Sequence, residues 1–144
     1  MAFLGEVDES HVTAVAANLE SVARQHAPFS AEISGVGVFP DWRRIRVVWL
    51  GLRDAGAMVL LGTDIGKMCG TLGFPQRPFR AHLTIGRTTG PLSAEQKTSL
   101  SKALAVHKAE AYPFDVSRVL VMKSVLSPAG SQYSLLASFP LGSA

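Results

Sequence analysis

The stretch Arg80-Ala81-His82-Leu83-Thr84-Ile85-Gly86-Arg87 decides the fold and the candidate chemistry of this chain. It alternates polar with apolar residues, and successive side chains of a β-strand point to opposite faces of a sheet. We therefore predict a strand whose apolar residues, Ala81, Leu83 and Ile85, face a core. Arg80, His82 and Thr84 then share the other face, where a guanidinium, an imidazole and a hydroxyl can together bind a phosphate and move a proton.

Length and composition bound the class of protein. The chain has 144 residues, of which 47% are hydrophobic and 17% charged, so we predict one folded domain over residues 1–144. The net charge of +3 and the pI of about 9.4 are compatible with nucleic acid or nucleotide phosphates without establishing either. The densest basic patch, Arg43-Arg44-Ile45-Arg46, is interpreted as a solvated turn or strand edge.

Cysteine and histidine usage excludes further classes. A single cysteine, Cys69, excludes an internal disulfide and a cysteine-rich metal site. The four histidines lack the spacing of metal ligands, so we predict no metal. Because the sequence shows neither a signal peptide nor a long apolar run, we predict a soluble cytoplasmic protein that does not enter a membrane.

Hydrophobic spacing predicts three helices. The first is capped by Asp8 or Ser10, runs to about Gln25 and places Val12, Val15, Leu19 and Val22 inward. The second spans about Ala55 to Leu72, with Leu61, Ile65, Met68 and Leu72 inward, and its glycines at positions 62, 66 and 70 predict close packing on a sheet. The third opens with a capping box at Ser93-x-x-Gln96 and runs to about His107.

Alternation and β-branched residues predict the strands. They are the end of a strand at Phe3-Leu4-Gly5, then Phe29 to Phe39, Ile45 to Leu50, the stretch at His82, Phe114 to Val125 and Gln132 to Phe139, with turns at Pro40-Asp41 and Ser127-Pro128-Ala129-Gly130. Helices and strands mix without a strict βαβ rhythm. The sequence therefore predicts an α+β fold with largely antiparallel sheets.

The segment Phe79–Arg87 resembles the second signature of the 2H phosphoesterase superfamily. It is most similar to the bacterial and archaeal RNA 2′,3′-cyclic phosphodiesterases, also called 2′-5′ RNA ligases or LigT-like proteins. Other blocks agree in order, and the resemblance covers essentially the whole chain. These blocks are Phe3-Leu4-Gly5-Glu6-Val7, Val38-Phe39-Pro40 followed by Val48-Trp49-Leu50-Gly51, and Ser124-Val125-Leu126-Ser127-Pro128-Ala129-Gly130 with Tyr133 and Phe139-Pro140-Leu141.

The resemblance implies a fold of two similar lobes, each an antiparallel sheet with outer helices, that contribute one His-x-Thr apiece to a shared cleft. One histidine would activate water and the other would protonate the leaving ribose oxygen, while the threonines hold the phosphate. The implied reaction opens a terminal 2′,3′-cyclic phosphate to a 2′-phosphate, and its reverse sense forms a 2′-5′ bond. RNA ends or small cyclic nucleotides are the implied partners, and no metal or nucleotide cofactor is implied.

By this resemblance His82 and Thr84 are the candidate catalytic residues, and Arg87 is a candidate ligand of the phosphate or the base. An unperturbed imidazole titrates at about pH 6.5, so it can give or take a proton near neutrality. Strict alternation, however, places Arg87 on the opposite face from His82. It reaches the site only if the strand bends or bulges at Gly86, or ends there. Arg80 shares the parity of His82 without such help.

The chain departs from the family at its first signature, which reads approximately His-x-Thr-Leu-x-Phe-Leu-Gly. Met1 stands where the residue after the threonine belongs, so the first histidine and threonine are absent, together with the opening strand and helix. A start site assigned too late is the favoured interpretation, and a real truncation or a degenerate homologue is the alternative. We expect this chain alone to hydrolyse cyclic phosphate poorly or not at all.

Two other functional classes stay open at this point. A non-catalytic RNA- or nucleotide-binding module would keep the fold and lose the chemistry. A structural role would follow if an unpaired strand edge made the chain self-associate. Phe3 occupies the place in the first signature that Arg87 holds in the second, and it is interpreted either as a base-stacking residue or as a core residue.

The remaining candidates are given structural roles. His11-Val12-Thr13 matches the letters of the motif, but it lies on a predicted helix, where residues two apart point away from each other. His26 and His107 are interpreted as surface residues at helix ends. Trp42 and Trp49 are interpreted as packing residues.

Overall fold

A computed structural model describes residues 2–53, 55–106, 111–128 and 130–142. These residues form three helices and six strands. In chain order they are α1 (Glu9–Arg24), β1 (Phe29–Phe39), β2 (Val47–Arg53), α2 (Gly56–Thr71), β3 (His82–Arg87), α3 (Ala94–Val106), β4 (Ala111–Val116), β5 (Arg118–Ser127) and β6 (Gly130–Pro140). Within the described residues, no helix is both long enough and apolar enough to cross a membrane.

The strands form two sheets. One has four strands in the order β3-β2-β1-β4, and the other consists of β5 and β6. The pairs β1–β2, β2–β3 and β5–β6 are antiparallel. The predicted α+β fold with largely antiparallel sheets is confirmed.

Contacts divide the chain into two compact units. The first contains the residues up to Phe29, Gly56–Phe79 and those from Asp115 onward, which carry α1, α2 and the β5–β6 hairpin. The second contains Ser30–Ala55 and Arg80–Phe114, which carry α3 and almost all of the four-stranded sheet. The assignment of residues 1–144 to a single domain stays a prediction.

Helix α1 forms as the sequence predicts. Asp8 is its N-cap and accepts a hydrogen bond from the His11 backbone N–H at 3.0 Å. Val15 and Leu19 of its inward stripe are buried and Val12 and Val22 are half-buried. Leu19 packs with Met68 and Cys69 of α2 and Val121 of β5. This apolar cluster is the core of the first unit.

The glycine face of α2 packs differently from the prediction. A side chain added at Gly62 would lie 2.5 Å from the ring of Phe79, and one at Gly66 would meet Gln76 at 3.7 Å. Gly62 and Gly66 therefore face the extended segment that follows the helix. The predicted packing of this helix on a sheet is confirmed on its apolar side, where Met68 and Cys69 pack with Val121 of β5. The absence of a side chain at Gly62 lets the aromatic ring approach the helix backbone.

Several predicted strand boundaries were wrong. Phe3-Leu4-Gly5 is not a strand, because the backbone of Phe3 is hydrogen-bonded to the side chain of Gln76 instead. Strand β2 begins at Val47, and Ile45 is a loop residue that is only 3% exposed. Burial of that side chain in a loop gives the same apolar pattern as a strand.

The predicted strand from Phe114 to Val125 is two strands of different sheets. They separate at Ser117, whose carbonyl oxygen accepts a hydrogen bond from the Leu141 N–H at 2.8 Å. Pro113 is tolerated in β4 because that strand lies at the edge of its sheet. The hairpin β5–β6 turns at the predicted place, although Ala129 of that turn lies outside the described residues.

Helix α3 begins with the predicted capping box. The Ser93 N–H donates to Gln96 Oε1 at 2.9 Å, and the Gln96 N–H donates to Ser93 Oγ at 3.2 Å. Its predicted end at His107 lies outside the described residues.

Candidate active site

Strand β3 carries the candidate site and pairs with β2 from His82 to Arg87, with one interruption. His82 lies opposite Gly51, Leu83 opposite Leu50, and Thr84 opposite Trp49. The next pairs are Gly86 with Val48 and Arg87 with Val47, so Ile85 has no partner in β2. One extra residue in one strand of an antiparallel pair is a β-bulge.

The bulge decides where Arg87 lies. Residues paired across a sheet share a face, and Gly51, Trp49 and Val47 are alternate residues of β2. Their partners His82, Thr84 and Arg87 are therefore on one face. The sequence predicted that Arg87 reaches the face of His82 only if the strand bends, bulges or ends at Gly86. The strand does bulge, at Ile85 rather than at Gly86.

The other face of β3 is not a core. Leu83 is 47% exposed and Ile85 is 52% exposed, so the prediction that they face the interior was wrong. Strand β3 lies at the edge of its sheet, and an edge strand has a neighbour on one side only. Ala81 precedes the strand and is half-buried.

The ring of His82 is held by its own chain. Its Nδ1 lies 2.8 Å from the backbone oxygen of Arg80. A carbonyl oxygen only accepts hydrogen bonds, so Nδ1 carries a proton and Nε2 is the atom left to exchange one. His82 is exposed, which leaves this nitrogen accessible to a substrate.

One aromatic ring, that of Phe39, contacts the imidazole and is itself stacked on a second ring. The ring of Phe39 meets His82 edge-on at 5.3 Å and stacks on Trp49 at 5.2 Å. A side chain at Gly37 would collide with the Trp49 ring, so glycine is required there. The sequence predicted Trp49 as a packing residue, and this is confirmed. Phe39, at the end of β1, was missed as part of the site.

Arg80 and Phe3 lie differently from their predictions. Arg80 precedes β3, so the parity argument for its side chain does not hold, and its observed contact is the backbone carbonyl that binds His82. Phe3 belongs to the first unit and is 72% exposed, so its interpretation as a core residue was wrong. Their roles in substrate binding stay predictions.

The helical His11-Val12-Thr13 does not form a second site. His11 Nδ1 lies 2.8 Å from Asp8 Oδ1, and Thr13 Oγ1 donates to the Glu9 carbonyl at 3.0 Å. The two side chains are therefore held by separate partners on α1. Hydrogen bonds from the Ser10 hydroxyl, then from the backbone and the ring of His11, hold the pKa of Asp8 well below its usual range.

Two interpretations of single residues were wrong. The side chain of His26 is only 15% exposed, and its Nε2 lies 3.2 Å from Asp64 Oδ2, so it is not a surface histidine. Trp42 is 45% exposed in the loop between β1 and β2, so it is not a packing residue.

Among the residues that the structure describes, no group of three histidine, cysteine or carboxylate side chains is placed to hold a metal ion.

The comparisons with known proteins agree with this architecture. The family model of the 2′-5′ RNA ligase superfamily matches residues 1–126. An RNA 2′,3′-cyclic phosphodiesterase of Methanothermobacter thermautotrophicus is 34% identical over 96% of this chain and 75% of its own length. One from Geobacillus stearothermophilus is 30% identical over 98% of this chain and 44% of its own length.

Solved structures give the same result. A crystal structure from Thermus thermophilus matches with a TM-score of 0.69 and 25% identity, over 96% of this chain and 74% of that one. Escherichia coli LigT complexed with 3′-AMP matches with a TM-score of 0.65 and 24% identity, over 97% of this chain and 74% of that one. The chain belongs to the 2′-5′ RNA ligase superfamily and has the fold of the 2H phosphoesterases.

Proposed function

We propose that this chain acts as an RNA 2′,3′-cyclic phosphodiesterase, which opens a terminal 2′,3′-cyclic phosphate to a 2′-phosphate. The observation that carries the proposal is the face of β3 on which the bulge gathers His82, Thr84 and Arg87. The names of the relatives in Methanothermobacter and Geobacillus support it.

The three side chains suit the steps of this reaction. Water attacks phosphorus, the bond from phosphorus to O3′ breaks, and O3′ takes up a proton. His82 Nε2 takes the proton of the attacking water or supplies the proton of the leaving oxygen. The Thr84 hydroxyl donates to a phosphate oxygen, and the Arg87 guanidinium offsets the phosphate charge.

Among the described strands, β3 alone carries a His-x-Thr. A single imidazole then has to act as base and acid in turn, so we expect slow hydrolysis by the chain as it stands. The same observation favours a second candidate function, a module that binds the 2′-phosphorylated end without turning it over.

The test is hydrolysis of a cyclic 2′,3′-mononucleotide, with the products separated as 2′- and 3′-phosphates. We expect the 2′-phosphate, and we expect His82→Ala to lower kcat/KM by about 100- to 10,000-fold, the usual contribution of a positioned acid or base. His11→Ala is the matched control and should retain the rate, because His11 is held by Asp8 on α1. Unchanged turnover in the His82 variant would show that the site is wrong.

The binding module is distinguished by titration with a 2′-phosphorylated nucleotide. Binding that is lost in His82→Ala, without any turnover of the cyclic substrate, would favour that module over the enzyme. Joining of RNA ends through a 2′-5′ bond belongs to the same proposal as the reverse sense of the reaction. So does a cytoplasmic location, where RNA ends of this kind would be met.

A further inference from the structure

A cluster of cations lies in the second unit, beyond the Arg87 end of β3. We call residues 40–46, which connect β1 and β2, the basic loop. The three arginines of this loop, with Lys97 of α3, line a small cavity of about 150 Å³. The lining residues are Arg43, Arg44, Ile45, Arg46, Pro91, Leu92 and Lys97.

The positive charge of this loop is not neutralised by the side chains that the structure describes. In the part that the structure describes, the arginines of the basic loop form no ion pair, whereas Arg24 and Arg53 each pair with a glutamate. The carboxylate of Asp41, the acidic residue of the loop, accepts the backbone N–H groups of Arg43 and Arg44 at 2.7 and 3.1 Å. Clustered cations repel one another, so an anion bound among them would be stabilised.

Hydrogen bonds hold the basic loop against the residue that follows β3, the strand of the candidate site. Ile45 is a buried anchor, and its carbonyl accepts the hydroxyl of Thr88 at 3.0 Å. The Thr88 N–H also donates to the carbonyl of Arg46 at 3.1 Å. Thr88 directly follows Arg87, so the cations begin where the face of His82, Thr84 and Arg87 ends.

The distance from His82 to the basic loop suits a single strand of nucleic acid. From His82 to Thr88 an extended chain rises by roughly 20 Å, at about 3.3 Å per residue. A groove that tracks several phosphates, with aromatic side chains on which bases stack, is the usual device for binding single strands. Trp42 supplies such a ring, since it is 45% exposed and has no ring contact among the described residues.

We propose that the basic loop binds the phosphates of the single-stranded RNA that precedes the terminal cyclic phosphate, with Trp42 stacking on one base. This inference rests on the proposed function, since it assigns His82 to the RNA end. It assigns to the loop the upstream phosphates of the RNA, which a cyclic mononucleotide lacks. Under this proposal, the patch that was interpreted from the sequence as a solvated turn or strand edge binds RNA.

The experiment compares a cyclic mononucleotide with an RNA of about six nucleotides that ends in a 2′,3′-cyclic phosphate. The loop variant replaces Arg43, Arg44 and Arg46 by glutamine. It should raise the KM for the oligonucleotide at least tenfold and leave kcat/KM for the mononucleotide unchanged. The slope of log affinity against log salt should flatten by about 0.7 for each lost phosphate contact. Trp42→Ala should weaken the binding of the oligonucleotide and leave that of the mononucleotide unchanged.

A matched control distinguishes the effect of the loop arginines from the effect of net charge. Replacement of Arg24, Arg77 and Arg118 by glutamine removes the same charge from the first unit. Equal weakening by this control would overturn the proposal, as would an unchanged KM in the loop variant.

Failure of the proposed function has a different readout. If the unaltered chain hydrolyses neither substrate, the anisotropy of a labelled RNA ending in a 2′-phosphate still measures RNA binding by the loop. Loss of RNA binding in the loop variant alone then supports the loop, while the proposed hydrolysis fails. If the unaltered chain and the loop variant bind RNA equally, the proposal that the basic loop binds RNA is overturned, whatever the hydrolysis shows.

Discussion

At the scale of single residues, the candidate site depends on contacts that a sequence motif does not contain. The carbonyl of Arg80 sets the tautomer of His82, and the ring of Phe39, stacked on Trp49, contacts its imidazole edge-on. His82 and Thr84 were predictable because alternation places residues two apart on one face. Phe39 was not, because its contact with His82 joins strands that are distant in sequence.

Thr84 is expected to act through its hydroxyl. Thr84→Val keeps the shape and removes the donor, so kcat/KM for a cyclic nucleotide should fall by about tenfold or more, as for a hydrogen bond to a charged group. Thr84→Ser keeps the donor and should retain most of the rate. Equal rates for the two variants would argue against a hydrogen bond to the phosphate.

Gly37 is expected to be intolerant of any side chain. Gly37→Ala would push a methyl group into the ring of Trp49 and should destabilise the fold by about 1–3 kcal/mol, as other overpacked sites do. Gly90→Ala is the control, since nothing lies within 4 Å of the added group. Thermal unfolding of both variants checks this, and equal melting temperatures would contradict it.

At the scale of elements, helices were predicted more accurately than strands. The cap at Asp8, the box at Ser93 and the stripes of α1 and α2 are local signals, and each agrees with the structure. The break at Ser117 and the buried loop residue Ile45 are set by the other strands of each sheet. Apolar residues in a loop and in a strand look alike until the pairing is known.

The cap of α1 makes stability depend on pH. The folded pKa of Asp8 lies below its ordinary value of 3.8, so its charge stabilises the fold above that pH, and this contribution is lost as the pH falls below it. Asp8→Asn should lower the melting temperature at pH 7 and should differ less from the unaltered chain at pH 3. Glu6→Gln, outside the cap, is the control. A constant difference between pH 7 and pH 3 would contradict the assignment.

At the scale of the whole molecule, the chain exposes an apolar face. Pairing in the β5–β6 hairpin places five large apolar side chains on one face, each at least 45% exposed. They are Leu120, Met122, Leu126, Tyr133 and Leu135. The sequence did not predict this, because alternation indicates two faces without telling which one is covered.

This apolar face should bind a hydrophobic dye such as ANS without any denaturant, since such dyes report exposed apolar surface. Leu126→Lys with Leu135→Lys should reduce the dye fluorescence and leave the far-UV spectrum unchanged. Leu60→Lys on α2, which is 64% exposed outside the hairpin, is the control. Equal loss of fluorescence in the control would show that the dye binds elsewhere.

The bulge in β3 has an evolutionary consequence. Ile85 is a spare residue, because its neighbours Thr84 and Gly86 already pair with consecutive residues of β2. Deletion of its codon would leave every pair of the strand intact and would keep Arg87 opposite Val47. Relatives with a shorter strand are therefore expected to read His-x-Thr-x-Arg, with the arginine two places after the threonine instead of three. An alignment that forces equal lengths there would match this arginine to the wrong residue.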